Sequence, residues 1–317
     1  MSILNHGLLL VDKPEGITSH DVVARARRLL GLSSIGHSGT LDPMASGLMV
    51  LLLGEATKLS QVFLEKTKSY EVEFTLGIET DTLDRTGTVL RRVEPEALGE
   101  CTIERVNALA QKLQGEFEWP IPSYSAKKIN GEKMYVMARE GRMEQLEVRP
   151  RKKMSFWGVG EVEKCGDPVF RVSLSCSAGS FIRTWVDQMG QGLGVGAMMS
   201  SLRRTESSPF KIEHAVKLEE IPTLTREELV ERGSFVPLEN SLPGMKKVVV
   251  QGGASQQLRN GLIGYDLRGH LFAIVNAKEN QDFAIISKES RQLVAIVDYR
   301  KGNGFTIRRV MNYQSAH

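Results

Sequence analysis

Hydrophobic positions fall into two kinds of run along the 317-residue chain, continuous and periodic. Residues 7–11 are uninterrupted and end in the turn-rich segment 12–16, which predicts a short buried strand. Residues 70–76 alternate strictly, so Tyr70, Val72, Phe74 and Leu76 share one face of a strand. Residues 170–176 alternate again and are expected to pair with 154–163 across a turn holding Gly166, Asp167 and Pro168. Helical spacing follows Thr18 and Asp21, which form a capping-box pattern; Val22, Ala26, Leu29 and Leu30 make the stripe and Gly31 the stop. A second helix is predicted over 102–113, a third over 197–204, and a short one opened by Thr225 and Glu228.

Interspersed helices and alternating strands point to an α+β chain on a mixed, largely antiparallel sheet with flanking helices. Pro222, Pro237 and Pro243 punctuate the segment after residue 217, and the linker is set at about 236–246. This divides the chain into a body, 1–240, and a small tail domain, 246–317. The tail's short runs at 247–250, 271–275, 283–287, 293–299 and 305–310, separated by glycines, predict a β-rich, barrel-like module.

Composition narrows the functional classes. The longest apolar run, 48–53, is six residues, far short of the roughly 20 that span a membrane. The N-terminus lacks a basic region and its apolar run stops at Asp12, against a secretory signal. Three cysteines without a CxxC spacing argue against a disulfide framework or a zinc site and fit a reducing cytoplasm. Net charge is only +3, so any basic surface must be local. One such region is 127–153, with nine lysines and arginines against four glutamates, a net of +5, and with Tyr124 and Tyr135 beside the charges. That mixture suits polynucleotide binding, and it equally suits a solvated helix face.

The densest candidate chemistry is Gly36-His-Ser-Gly-Thr-Leu-Asp-Pro-Met-Ala-Ser-Gly47. Its glycines allow close approach to a ligand, Asp42 is its only ionised nucleophile, and Pro43 keeps Asp42 out of a helix. Asp42 could equally close an Asx-turn, and His37 could be an ordinary hydrogen-bonded loop histidine. The segment is neither a P-loop nor a serine-hydrolase elbow, because the Gly-Lys-Ser/Thr and Gly-x-Ser-x-Gly registers are missing. Further on, Phe181 and Arg183 stand two apart and would share a side if the preceding strand continued.

Taken in order, these segments resemble the bacterial tRNA pseudouridine-55 synthases, the TruB-type pseudouridine synthase family. The likeness runs through Gly7-Leu-Leu-Leu-Val-Asp-Lys-Pro-Glu-Gly-Ile-Thr-Ser19, the Gly36–Gly47 segment with Gly54-Glu-Ala-Thr-Lys58, Pro122-Ser-Tyr-Ser-Ala-Lys-Lys128, Cys176-Ser-Ala-Gly-Ser-Phe-Ile-Arg-Thr184 and Leu202-Arg-Arg-Thr205. The glycine-rich tail, with Leu258-Arg-Asn-Gly261, is similar to the family's PUA-type RNA-binding module. The resemblance implies isomerisation of the uridine at position 55, in the tRNA T-arm stem-loop, by a cytoplasmic monomer with no cofactor, no metal and no membrane. The N1–C1′ bond breaks, the uracil turns, and it rejoins through C5.

By the same resemblance Asp42 is the catalytic aspartate and Arg183 its charge partner. Tyr70 stacks on the flipped base, while His37, Phe181 and Leu202 bind the substrate. Lys13 and, in a basic insertion over 122–153, Lys127, Lys128, Lys152 and Lys153 are expected to bind RNA. Phe181 departs from the family's usual tyrosine, which leaves stacking but no hydroxyl to move a proton. Ser208 stands where the family often has glycine. Two alternatives stay open: a guide-RNA-directed subunit of the dyskerin/Cbf5 type, which lacks the basic insertion, and a non-catalytic tRNA-binding or tRNA-folding protein. A chain ending near Leu242 is expected to keep turnover and bind tRNA more weakly.

Overall fold

The computed structural model describes residues 4–125, 127–129, 131–145 and 149–313. The strands along the main path of the body sheet are, in chain order, β1 (Gly7–Lys13), β2 (Ser46–Leu53), β3 (Lys68–Leu76), β4 (Gly115–Pro120), β5 (Arg151–Trp157), β6 (Val169–Cys176), β7 (Ala197–Ser207) and β8 (Phe235–Pro237). They lie side by side as β8-β1-β2-β7-β3-β6-β5-β4. Neighbours run antiparallel except β2 and β7, which are parallel. The longest of the body's described helices, α1 (Ser19–Leu30), α2 (Ile103–Lys112) and α3 (Ile182–Leu193), flank this sheet. The α+β class with a largely antiparallel, mixed sheet is the one expected.

The two kinds of hydrophobic run have separate causes. β1 and β2 are buried on both faces, so their apolar runs are continuous. Leu9, Val11, Met49 and Leu51 meet Val22, Val23 and Ala26 of α1, while Leu8, Leu10, Val50 and Leu52 pack on the opposite side. β3 and β6 are buried on one face only. Val72, Phe74, Val172 and Leu174 pack with Trp185, Val186 and Met189 of α3. On the outer face Glu73 and Arg171, directly opposite in register, form an ion pair at 2.6 Å. α1 begins at Thr18 with the expected capping box and ends at Gly31 in the left-handed conformation (φ 64°).

Four local expectations are corrected. Residues 197–204 are not a helix but the start of β7, an 11-residue strand between β2 and β3. Pairing of Ala197, Met198, Met199 and Ser201 with β3 overrides the weak strand preference of Ala-Met-Met-Ser-Ser. The strand before Phe181 does not continue, because Phe181 is the N-cap of α3. The 154–163 run breaks after Trp157, and Glu163–Gly166 forms its own hairpin with β6. In the tail, 271–275 falls mostly in a helix.

The tail is an open four-stranded sheet, β9 (Lys246–Val250), β10 (Gln281–Ser287), β11 (Leu293–Arg300) and β12 (Gly304–Val310), in that order. Helices α4 (Gly253–Arg259) and α5 (Tyr265–Ile274) join β9 to β10. It shares a core with the body, since Ala284, Leu293, Ile296 and Met311 lie in one cluster with Leu8, Leu10, Leu48 and Val50. Polar ties add to this: Lys58 Nζ donates to the Val310 carbonyl at 3.2 Å and Arg309 Nε to the Lys58 carbonyl at 3.2 Å.

Candidate active site

Four chain segments converge on a cavity of about 270 Å³ lined by Asp42, Tyr70, Phe181, Arg183, Leu202 and Arg204, among others. Asp42 comes from the loop before β2, Tyr70 from β3, Leu202 and Arg204 from β7, and Phe181 and Arg183 from the start of α3. The Asp42 carboxylate meets Arg183 Nε at 3.0 Å. The turn's own hydrogen bond is backbone to backbone, from Ala45 N–H to the Asp42 carbonyl, which leaves the carboxylate for the cavity. Asp42 keeps 36% side-chain exposure whereas Arg183 keeps 7%, so the acid can reach a ligand and the base cannot swing away.

Arg183 is fixed on every side. Nη1 donates to the Thr82 carbonyl and Nη2 to the Tyr124 carbonyl, each at 2.9 Å. A second carboxylate, Asp84, lies 3.8 Å from Nε and is buried. Asp84 accepts from the Thr82 hydroxyl at 2.8 Å, the Thr86 hydroxyl at 2.6 Å and the Thr86 N–H at 2.9 Å. The guanidinium therefore stands between an open aspartate and a closed one, with its geometry set before any ligand arrives.

Two buried cations, which have no carboxylate partner at hydrogen-bond range among the described residues, hold the Asp42 loop. Arg204, 2% exposed, donates from Nε to the Leu48 carbonyl at 2.6 Å and from Nη2 to the Gly39 carbonyl at 3.2 Å. Its backbone packs so closely on Gly47 (φ 102°) that a Cβ there would collide with it. Lys13 is completely buried, and its ammonium donates to the Pro14, Ile17 and Pro43 carbonyls at 2.9, 2.8 and 3.4 Å. The expected RNA contact of Lys13 is thus corrected: the lysine braces the loop from beneath and has no surface to offer. Ser19 completes the brace, accepting from Leu41 N–H at 2.8 Å and donating to its carbonyl at 3.0 Å.

Tyr70 sits opposite Arg204 in the β3–β7 register, and burial pushes its hydroxyl up to about 12. Phe181 and Leu202 line the same cavity. His37 lies just outside, its Nδ1 accepting from Gly39 N–H at 3.2 Å; burial, then Arg204, lowers its pKa, so the ring is neutral at pH 7. Phe181 and Arg183 do converge, although a helix start rather than a strand brings them together.

The remaining lysines divide. Lys127 and Lys128 are exposed at the insertion, next to a ribbon and a short helix, Met134–Arg139. Lys152 is half-buried and donates to the Gly179 carbonyl at 3.0 Å, steadying the loop that leads to Phe181. Lys153 is paired with Glu116 at 3.0 Å on the surface. Ala126 of the insertion motif and Glu147 of the charge count lie outside the described residues. Sequence reasoning missed Asp84, Lys68 and Arg204. The first left only a Thr/Asp-rich turn as a signal, and Arg204 stood unassigned in the Leu202–Thr205 motif. Among the described residues no three His, Cys, Asp or Glu side chains are grouped as metal ligands, and no helix is long and apolar enough to cross a membrane.

Burial lowers Lys13 and Lys68 to about 8 from the ordinary 10.5. A folded-state pKa below the unfolded one means that the unfolded chain binds more protons between those values. Stability should therefore rise with pH above 8, by at most about 1.4 kcal/mol per pH unit per lysine. Above about pH 9 the buried Cys176 thiol, pushed up to about 12, acts in the opposite direction. Urea midpoints between pH 7.5 and 9 should rise for the parent and rise less for Lys13→Met. Equal slopes would mean that the Lys13 ammonium is not penalised in the fold.

A family model for the TruB family pseudouridylate synthase N-terminal domain matches residues 27–182, and one for the tRNA pseudouridylate synthase B C-terminal domain matches 183–243. The tRNA pseudouridine synthase B of Bdellovibrio bacteriovorus is 47% identical over 97% of both chains. That of Staphylococcus saprophyticus is 33% identical over 92% of this chain and 94% of its own. Among solved structures, a Cbf5-Nop10-Gar1 complex matches with a TM-score of 0.65 at 24% identity, over 98% of this chain and 85% of the other. This last likeness is one of fold alone. Near-full-length identity to the curated relatives, with two family models meeting inside α3, makes the chain a member of the TruB family of pseudouridylate synthases.

Proposed function

We propose that this chain is an isomerase that converts the uridine at position 55 of the tRNA T-arm to pseudouridine, acting as a monomer in the cytoplasm without a guide RNA. The observation that carries the reading is the Asp42–Arg183 pair at the mouth of a cavity faced by Tyr70 and Phe181. In this reading the target uridine leaves its stack, at a cost of a few kcal/mol, and enters between the aromatic rings. Asp42 sets its negative charge beside the sugar as the N1–C1′ bond opens. Arg183 keeps the carboxylate aimed, and the uracil turns to rejoin C1′ through C5, while the C5 hydrogen leaves to solvent as a proton and N1 takes a proton up.

The full-length relatives favour this over the guide-directed reading, as does the exposed basic insertion with Lys127 and Lys128. Retention of Asp42, Arg183 and Tyr70 together argues against a purely binding role. The test is tritium release from 5-tritiated uridine in an unmodified tRNA transcript with no guide RNA. Guide-free release supports the reading, and no release at any enzyme concentration overturns it.

Phe181 is assigned stacking only. Phe181→Ala should therefore lose on the order of 1–3 kcal/mol, a rate or affinity loss of about 5- to 150-fold. Phe181→Tyr should leave the single-turnover rate within a few-fold of the parent. A gain of several orders of magnitude would show that a hydroxyl is needed there as a proton carrier.

A further inference from the structure

Arg183 is held by two backbone carbonyls that lie outside the sheet ladders. The Thr82 carbonyl belongs to the turn between the paired segments 78–80 and 89–92. The Tyr124 carbonyl lies beyond the end of β4 at Pro120, where the chain leaves the body for the basic insertion. A side-chain bond ties these two acceptors together: the Tyr124 hydroxyl donates to Asp81 Oδ2 at 3.0 Å. We propose that Tyr124 and Asp81 are positioning residues whose hydrogen bond aims Arg183 at Asp42 for the reaction; this rests on the isomerase reading above.

The bonds close a ring. Arg183 reaches Thr82 through Nη1 and Tyr124 through Nη2, each at 2.9 Å, and Asp81 adjoins Thr82 in the chain. The hydroxyl bond from Tyr124 to Asp81 completes the circuit and sets the spacing of both carbonyls around the guanidinium. Asp81 is itself anchored: Oδ1 accepts from Thr88 N–H at 2.7 Å, and its own N–H donates to the Thr88 carbonyl at 3.1 Å. The turn is tight, since a Cβ on Gly87 would collide with Asp81 Oδ1 and the Thr82 hydroxyl. Leu83, between Thr82 and the buried Asp84, adopts the left-handed conformation (φ 63°), which a bulky side chain disfavours. Such strain persists only where the surroundings impose it, and here they bring Thr82 and Asp84 to one guanidinium.

The pair acts through Arg183 and not on the substrate. Tyr124 lines the catalytic cavity and also a neighbouring cavity of about 630 Å³, whereas Asp81 lines the neighbouring one. Asp81 therefore reaches the chemistry by way of Tyr124 and Thr82, without touching the uridine. The segment after Tyr124 explains why a side chain is needed there. The Ser125 carbonyl accepts from Tyr135 N–H at 3.1 Å and the Lys127 carbonyl from Met134 N–H at 2.8 Å, so the short helix of the insertion hangs on the same point. Without the hydroxyl bond the Tyr124 carbonyl is free to follow the insertion instead of the arginine.

The experiment measures single-turnover tritium release at saturating enzyme, together with tRNA affinity and melting temperature, for full-length variants. Tyr124→Phe removes only the hydroxyl and should slow release about tenfold, with affinity within about threefold of the parent. Asp81→Ala should slow release at least as much. Asp81→Asn should stay within about threefold of the parent rate, because its amide oxygen still accepts from Thr88 while its NH2 donates to the tyrosine hydroxyl. Combining Tyr124→Phe with Asp81→Ala should cost no more than Asp81→Ala alone, as a single shared bond requires. A parent-like rate in Tyr124→Phe, or Asp81→Asn as slow as Asp81→Ala, would overturn the assignment and leave the isomerase reading intact. Rate losses that add in the combined variant, or a loss confined to affinity, would do the same. Should Asp81→Ala melt early, Tyr124→Phe and Asp81→Asn, which nearly keep the side-chain volume, still decide the question. A parent that releases no tritium overturns the isomerase reading and this assignment together.

Discussion

Asp42→Asn is expected to lower single-turnover pseudouridine formation by at least three orders of magnitude, about 4 kcal/mol of transition-state stabilisation. The change is nearly isosteric and removes only the charge. The loop that carries it is braced by Lys13, Ser19 and Arg204 through its backbone or through neighbours, so its shape does not depend on the carboxylate. Melting temperature and tRNA affinity should accordingly stay near those of the parent. Arg183→Met is a less clean companion. It also leaves Asp84 and the Thr82 and Tyr124 carbonyls without their donor, and unpairing a buried charge costs about 3–5 kcal/mol. Lost activity in that variant must be separated from lost folding by measuring both. Substantial turnover by folded Asp42→Asn would remove Asp42 from the chemistry.

Truncation after Leu242 is expected to destabilise the body, contrary to the simple accessory role that the sequence suggested for the tail. Leu8, Leu10, Leu48, Val50 and Leu52 share a core with Ala284, Leu293, Ile296 and Met311. Full burial of one such side chain is worth about 1.5–3 kcal/mol. Partly uncovering five of them removes several kcal/mol, comparable to the whole margin of about 5–15 kcal/mol for a domain. Thermal melting should show a large drop or aggregation of the truncated chain. An unchanged melting temperature would mean that the tail covers little of this face. Weak RNA binding by such a truncation is therefore no evidence by itself for RNA contacts in the tail.

Periodicity carried the strands and helices whose burial is one-sided. Tyr70–Leu76 alternates because only its inner face packs, and α1 announces itself through Thr18, Asp21 and Gly31. It failed where the environment is two-sided or where the chain turns. The Ala-Met-Met-Ser-Ser start of β7 mimics a helix, and pairing with β3 decides its form. Arg183 was legible through family motif, but the turn at Phe181 that aims it was not. Lys13 stands in a recognisable motif, yet a lysine in sequence does not reveal that three carbonyls surround its ammonium. Asp84 was hidden for a related reason: a Thr/Asp turn looks the same whether it faces water or a buried guanidinium.

Nucleotide-resolution mapping of pseudouridine decides whether this chain modifies position 55 unaided. The full-length protein is incubated with an unmodified tRNA transcript in the absence of any other RNA, and every uridine is scored. The expected result is a single pseudouridine at position 55 of the T-arm, formed by the parent and absent with Asp42→Asn. Pseudouridine at another position alone, or at position 55 only when a guide RNA is added, would contradict the account.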